Sequence, residues 1–102
     1  MANLQLNYRY RDGGNFKQFG FAIFTNHDGL SLEEANMLLR SKLISEEFFI
    51  HQDWNLSRLH FHPYDPELDH EYHEFECFEL TNEVPTDDRD ILEFLHKIQK
   101  GI

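Results

Sequence analysis

The sequence has a single cysteine, Cys77, so it cannot form an internal disulfide. It has no apolar run approaching the roughly 20 residues that a membrane-spanning helix requires. Its first residues lack the charged stretch followed by an apolar stretch that is typical of a secretory signal. We therefore expect a cytoplasmic protein that does not contact a membrane.

Basic residues are also scarce. The chain has 9 Lys and Arg against 19 Asp and Glu, a formal charge of −10. Residues 1–30 hold three basic and two acidic side chains, whereas residues 31–102 hold six basic and seventeen acidic ones. Such a surface repels phosphates, which argues against nucleic acid and anionic lipid as partners. It suits solubility alone, a basic partner, a bound cation or no specific role. The expected partner is another protein or a second copy of the chain paired through a strand edge.

Several catalytic motifs are missing: there is no GxSxG, no phosphate-binding P-loop, no GxGxxG and no HExxH. Glu74 and Glu76 alternate on one strand, but no neighbouring sequence marks the apolar setting that raises the pKa of a catalytic acid. Cys77 lies between Phe75 and Phe78, a setting typical of an inert buried thiol rather than a nucleophile activated by His73. We assign no catalytic residue.

Aromatic residues are abundant, with 10 Phe, 4 Tyr and 1 Trp among 102 residues. Each large aromatic can bury about 150–250 Å², enough together for one core without disulfides. The length and the continuous pattern predict a single domain over residues 1–102.

Strand signals occur in four places. Apolar residues alternate over 3–11, a turn signal rich in glycine follows at 12–15, and a second strand is predicted over 16–25, giving an antiparallel hairpin. Alternation returns over 58–62 and 73–80. In the last strand the phase slips near Cys77, which indicates a bulge or burial on both faces.

Two helices are predicted from capping residues and periodicity. Ser31 and Glu34 form a capping box before a helix over about 32–43. Thr86 is the predicted N-cap of a second helix that ends at Gly101. The second helix has an apolar stripe consisting of Ile91, Phe94, Leu95 and Ile98, and a favourable ion pair between Glu93 and Lys97.

The predicted order is β-β-α-β-β-α, an α+β fold. The simplest packing has two layers, with a four-stranded, mainly antiparallel sheet and both helices on one face. A β-grasp-like arrangement, in which a ββαββ core wraps one helix, is the alternative.

The segment from His60 to Glu76 concentrates polar residues, with four of the seven histidines and six carboxylates. Alternate residues of a strand share a face about 7 Å apart, so two of these histidines can point at one ion. Imidazole and carboxylate groups suit divalent transition metals such as zinc or manganese. The candidate ligands are His60, His62, Asp69, His70 and His73; the alternative is a solvated loop.

Two aromatic features have competing interpretations. In the first hairpin Tyr8 and Tyr10 alternate with Arg9 and Arg11, so the tyrosines are predicted to be core and the arginines to pair with acidic residues, rather than to bind nucleic acid together. Trp54 is either an exposed partner contact or a lid folded onto the core.

The segments 8–17, 64–70, 73–75 and 85–88 resemble a family of small bacterial proteins without an established activity. The resemblance covers most of the chain. It implies a bacterial cytosolic domain and implies no functional residues. We therefore expect a non-enzymatic, acidic protein-binding or accessory module without a cofactor. The alternative is a metal-binding protein or metal-dependent hydrolase that uses the segment from His60 to Glu76.

Overall fold

A computed structural model describes residues 2–11, 17–45, 47–57, 59 and 72–98. These residues form four strands and two helices. In chain order the elements are β1 (Asn3–Arg11), β2 (Lys17–Phe24), α1 (Leu32–Arg40), β3 (Phe48–Ile50), β4 (Tyr72–Thr81) and α2 (Ile91–Lys97). The α+β prediction is confirmed.

The strands form one antiparallel sheet in the order β2-β1-β4-β3. The predicted first hairpin is confirmed, with a register that runs from Leu4 opposite Phe24 to Arg11 opposite Lys17. The predicted turn between these strands lies outside the described residues. Among the described residues, β1 and β4 occupy the centre of the sheet, so β2 and β3 are its two edges.

The helices cover one face of the sheet, which we call the inner face. Leu4, Leu6, Tyr8 and Tyr10 of β1 are fully buried on this face. The ring of Phe24 in β2 stacks on the ring of Phe94 in α2 at a centroid distance of 4.5 Å. Both tyrosines are therefore core residues, as their alternation predicts. The opposite face, which we call the outer face, includes Arg9 and Arg11.

The predicted bulge in β4 is also confirmed. The register between β1 and β4 shifts between Asn7, opposite Cys77, and Tyr8, opposite Phe75, so Glu76 is the extra residue. The shift turns both Phe75 and Phe78 to the inner face, where their ring centroids lie 5.5 Å apart. Burial of both phenylalanines thus accounts for the phase slip in the sequence.

The helices are shorter than predicted. α1 ends at Arg40, because the next turn tightens: the amides of Lys42 and Leu43 donate to carbonyls three residues back. α2 ends at Lys97, since Ile98 has extended backbone angles, and Gly101 lies outside the described residues. The stripe of α2 is buried as predicted, and the predicted ion pair of α2 forms at 2.9 Å.

One strand was missed and one capping residue was wrong, while the strand predicted over 58–62 lies almost entirely outside the described residues. The third strand of the sheet is β3, a three-residue segment too short to be recognised from its sequence. Of the predicted strand over 58–62 only Leu59 is described, and it lies outside every strand. The N-cap of α2 is Asp90, not Thr86, whose hydroxyl instead accepts from the amide of Ile23.

Within the described residues, no helix is long and apolar enough to cross a membrane.

Candidate functional site

His73 is the one predicted metal ligand that the structure describes, and it is completely buried in the inner layer. Its Nε2 atom accepts a hydrogen bond from the amide of Leu59 at 3.0 Å. A neutral ring that accepts at Nε2 carries its proton on Nδ1. Four rings surround it at centroid distances of 5.0–6.0 Å: His51, Tyr10, Phe49 and Tyr8.

His51 is the nearest of these rings, and no sequence pattern marks it as a neighbour of His73. Its Nδ1 atom lies 3.0 Å from the carbonyl oxygen of Leu56, so Nδ1 is the donor. This contact closes a turn beneath Trp54 and leaves the two histidines side by side in the core. Among the described residues, His73 therefore contributes to packing and to hydrogen bonding of the backbone.

The other predicted ligands, His60, His62, Asp69 and His70, lie outside the described residues. Within the described part of the chain, no group of three or more His, Cys, Asp or Glu side chains could hold a metal ion. The metal site over the segment from His60 to Glu76 therefore stays a prediction.

The other candidate groups for catalysis are separated. Glu74 is buried against two arginines, whereas Glu76 is exposed at the bulge. Cys77 faces Asn7, whose amide nitrogen lies 3.6 Å from the thiol. Because Asn7 belongs to the outer-face row of β1 and His73 to the inner layer, Cys77 and His73 lie on opposite sides of the sheet.

Trp54 is a lid on the core, as one of the two interpretations predicted. Its side chain is buried and stacks on the ring of Phe49, with a centroid distance of 4.5 Å and an interplanar angle of 7°. The edge of the indole also meets Phe94 of α2 at 6.0 Å. Trp54 is therefore not available as an exposed contact for a partner.

The edge of the sheet at β2 is half covered by the chain itself. Residues 86–91, which we call the closing segment, run along this edge. The amides of Thr86 and Asp87 donate to the carbonyl of Ile23, and the hydroxyl of Thr86 accepts from the amide of Ile23 at 2.9 Å. The amide of Ile91 donates to Thr25. Both backbone groups of Ile23 and the carbonyl of Thr25 are thereby satisfied.

Arg89 holds the closing segment in place. It donates two hydrogen bonds to Asp87 from its guanidinium and two more to the carbonyls of Trp54 and Asn55. Its guanidinium carbon also lies 4.9 Å from the ring centroid of Phe94. The hydrogen bonds from Arg89 hold the pKa of Asp87 below its usual range, although partial burial acts in the opposite direction.

Asp90 makes the second connection between the closing segment and β2. Burial alone raises the pKa of this carboxyl. Hydrogen bonds from the amide of His27, the hydroxyl of Thr25 and the amide of Leu92 outweigh burial, so the pKa of Asp90 is lowered overall. The same carboxylate caps the N-terminus of α2.

The remaining half of β2, residues 17–21, is what we call the open edge. Backbone groups of a strand alternate between its two sides, and those of Ile23 face the closing segment. The N–H and C=O groups of Lys17, Phe19 and Phe21 therefore face the same side. Among the described residues, no hydrogen bond reaches these outward-facing groups.

Two large apolar side chains mark the open edge. Phe19 is 61% exposed and Phe21 is 55% exposed, and both lie on the outer face opposite Arg9 and Asn7 of β1. The sequence predicted that they share a face with Ile23. It could not show that this face is left uncovered, because Ala22 and Phe24 make the other face of β2 apolar as well.

Positive charge surrounds the open edge. Arg9 and Arg11 both contact the same oxygen of Glu74, at 2.8 Å and 3.4 Å, so the predicted pairing of the arginines with acidic residues is confirmed. Lys17, directly opposite Arg11, is exposed and contacts no acidic group among the described residues. Arg9 and Arg11 thus share one buried carboxylate, and Lys17 pairs with none among the described residues, in a chain whose formal charge is −10.

Comparisons with protein-family models, with curated proteins and with solved structures find no match to this chain. The resemblance to small bacterial proteins therefore stays a prediction.

Proposed function

We propose that this domain is a non-enzymatic protein-binding module that receives an extended segment of a partner protein along the open edge of β2. In strand addition the edge backbone supplies hydrogen bonds and neighbouring side chains supply specificity. The observation that carries the proposal is the coincidence, at residues 17–21, of two exposed phenylalanines with backbone groups that no described residue pairs with. The sequence resemblance supports a bacterial cytoplasmic setting for the module.

The size of the open edge suits a short extended segment. Five residues of a strand span about 17 Å, and three of them present backbone groups to an incoming strand. Beyond Phe21 the edge is closed, because Thr86 occupies both backbone groups of Ile23. A partner strand that pairs with residues 17–21 therefore ends near the closing segment. The side chains that it places on the outer face lie beside Phe19 and Phe21.

The contrast with the rest of the molecule supports a binding role for this edge. An exposed apolar edge strand is prone to aggregation, and proteins ordinarily shorten it, cover it or place inward-pointing charges on it. Here β3, the other edge, is only three residues long, and the distal half of β2 is covered by the closing segment. Among the described residues, the open edge is neither shortened nor covered by another segment.

Selection from a random library tests the proposal. A displayed library of fifteen-residue segments is selected against the full-length chain, and an enriched segment is then titrated by fluorescence anisotropy. Binding should weaken more than tenfold in the double variant Phe19→Ser, Phe21→Ser, since central aromatic contacts contribute at least about 1–2 kcal/mol each.

Met37 supplies the matched control, because it is 66% exposed on α1, on the other side of the sheet. Met37→Ser should leave the affinity within twofold of the wild type. Equal binding to the double variant and the wild type, or enrichment of no segment, would contradict the proposal. Binding of a single-stranded oligonucleotide that is lost in the double variant would instead assign this surface to nucleic acid.

A further inference from the structure

The charges around the open edge differ in sign from those of the whole molecule. Arg9 and Arg11 lie on the outer face directly opposite Phe19 and Lys17. Glu74 is the carboxylate that both arginines contact, and its side chain is only 5% exposed. Arg11 donates just one hydrogen bond among the described residues, at 3.4 Å, and its Nε atom has no acceptor there. The side chains of Arg9, Arg11, Lys17 and Glu74 together carry two more positive charges than negative ones.

The electrostatic interaction of an incoming strand is determined by the charges near the open edge rather than by the net charge of the chain. At physiological ionic strength the Debye length is about 8 Å, so charges on distant helices are largely screened. A strand paired with β2 lies about 4.8 Å from it, within reach of Lys17 and the arginines. Glu93 of α2, by contrast, is paired with Lys97 at the surface of a helix on the inner face.

The positive charge is concentrated at one end of the open edge. The cations flank the end that starts at Lys17, whereas Phe21 lies opposite the neutral Asn7. Carboxylates of a partner strand are therefore favoured beside Lys17 and Arg11. Apolar residues are favoured beside the two phenylalanines, since aromatic rings pair well with β-branched or aromatic neighbours across a sheet.

We infer that the partner segment is an acidic peptide: an extended stretch with apolar residues at alternate positions and carboxylates at the end beside Lys17. This inference rests on the proposed function and adds the chemical class of the segment. Exposed ion pairs contribute about 0.2–1 kcal/mol each, which is too little to hold a segment at the edge alone. The positive charge of Lys17 and the arginines therefore changes the relative affinity of segments that bind through the backbone and the phenylalanines.

Three synthetic peptides test the inference on the full chain. Each has seven residues with alternating valine and threonine in the middle, and the terminal residues are glutamates, glutamines or lysines. Titrations are followed by NMR at physiological ionic strength. The amide signals of Lys17, Phe19 and Phe21 should shift with all three peptides. The glutamate peptide should bind about tenfold more tightly than the lysine peptide, with the glutamine peptide between them.

Two charge-reversal variants test whether the effect on affinity comes from charge at the open edge or from the net charge of the chain. Lys17→Glu should weaken binding of the glutamate peptide about fivefold and strengthen binding of the lysine peptide. Lys97→Glu changes the net charge by the same amount on α2 and should change neither affinity by more than twofold. Lys17 is exposed and unpaired among the described residues, so its replacement should leave the fold intact.

The outcomes separate the inference from the proposed function. If all three peptides shift the same three amides with equal affinity, or the lysine peptide binds most tightly, the edge binds segments but does not favour acidic ones. If no peptide shifts these amides, both the inference and the proposed function are overturned. An equal effect of Lys17→Glu and Lys97→Glu would show that only the overall charge matters, which also overturns the inference.

Discussion

The two halves of β2 have the same secondary structure and the same neighbour, β1, but different surroundings on their free side. The closing segment satisfies the backbone of Ile23 and the carbonyl of Thr25, and Phe24 is completely buried. No described residue bonds to the free side of residues 17–21, and Phe19 and Phe21 are exposed. The chain can cover a strand edge, as it does at one half. The other half, which no described residue covers, is the edge to which we assign the proposed binding role.

The largest expected difference between the halves concerns two phenylalanines of the same strand. Phe24→Ala should lower the free energy of unfolding by about 3–5 kcal/mol, because it removes a buried ring that stacks on Phe94. Phe21→Ala should change it by less than about 0.5 kcal/mol, since that ring is mostly in solvent. Urea unfolding measures both values. Similar losses in the two variants would show that the open edge belongs to the core.

The second prediction removes the side chain that fastens the closing segment. Arg89→Ala should cost about 2–4 kcal/mol in urea unfolding, because Asp87 and the carbonyls of Trp54 and Asn55 lose their donor. Lys97→Ala is the control, since its exposed pair with Glu93 should contribute under about 0.5 kcal/mol. If Arg89→Ala costs no more than this control, the guanidinium does not hold the closing segment.

Acidification should lower the stability of the half of β2 that the closing segment covers. The pKa values of Asp87 and Asp90 are lowered by folding, so their stabilisation is fully present above the unfolded value near about 4 and is lost as the pH falls through the folded value. Asp87→Asn should therefore be less stable than wild type by about 1–2 kcal/mol at pH 7, and the difference should shrink as the pH falls below about 4.

Exposed Asp53 provides the comparison for this pH series. The stability difference between wild type and Asp53→Asn should stay below about 0.5 kcal/mol across the same range. A difference for Asp87→Asn that does not shrink on acidification would show that the ionised carboxylate is not what fastens the segment.

The smallest effect concerns a single hydrogen bond at the boundary of the halves. Thr86→Val keeps the side-chain shape but removes the acceptor for the amide of Ile23, a loss of about 0.5–1.5 kcal/mol. Hydrogen exchange at Ile23 should become several times faster, while exchange at Phe21 stays the same. Equal acceleration at both amides would mean that the two halves of the edge open together.

Much of the fold could be predicted from periodicity. The alternation of β1, the capping box at Ser31 and the stripe of α2 each depend on neighbouring residues, and the structure confirms them. The bulge was foreseen as well, because Phe75 and Phe78 cannot both face the core on a regular strand. These features are local, so the sequence contains the information that determines them.

The errors concern features that depend on distant contacts. Thr86 has the side chain of an N-cap, but it pairs instead with Ile23, 63 residues away. The strand β3 is too short for a pattern and exists because it pairs with β4. The open edge was missed for the same reason. The exposure of Phe19 and Phe21 depends on which face of the sheet the helices cover, and the residues near them in sequence do not determine that face.

Hydrogen exchange in the presence of a bound segment tests the central claim most directly. A library-selected segment is added at saturation to the full chain, and amide exchange is followed by NMR. Binding by strand addition should slow exchange at Phe19 and Phe21 at least tenfold and leave Ile23, already bonded to Thr86, unchanged. Unchanged exchange at Phe19 and Phe21 in the saturated complex would contradict the account.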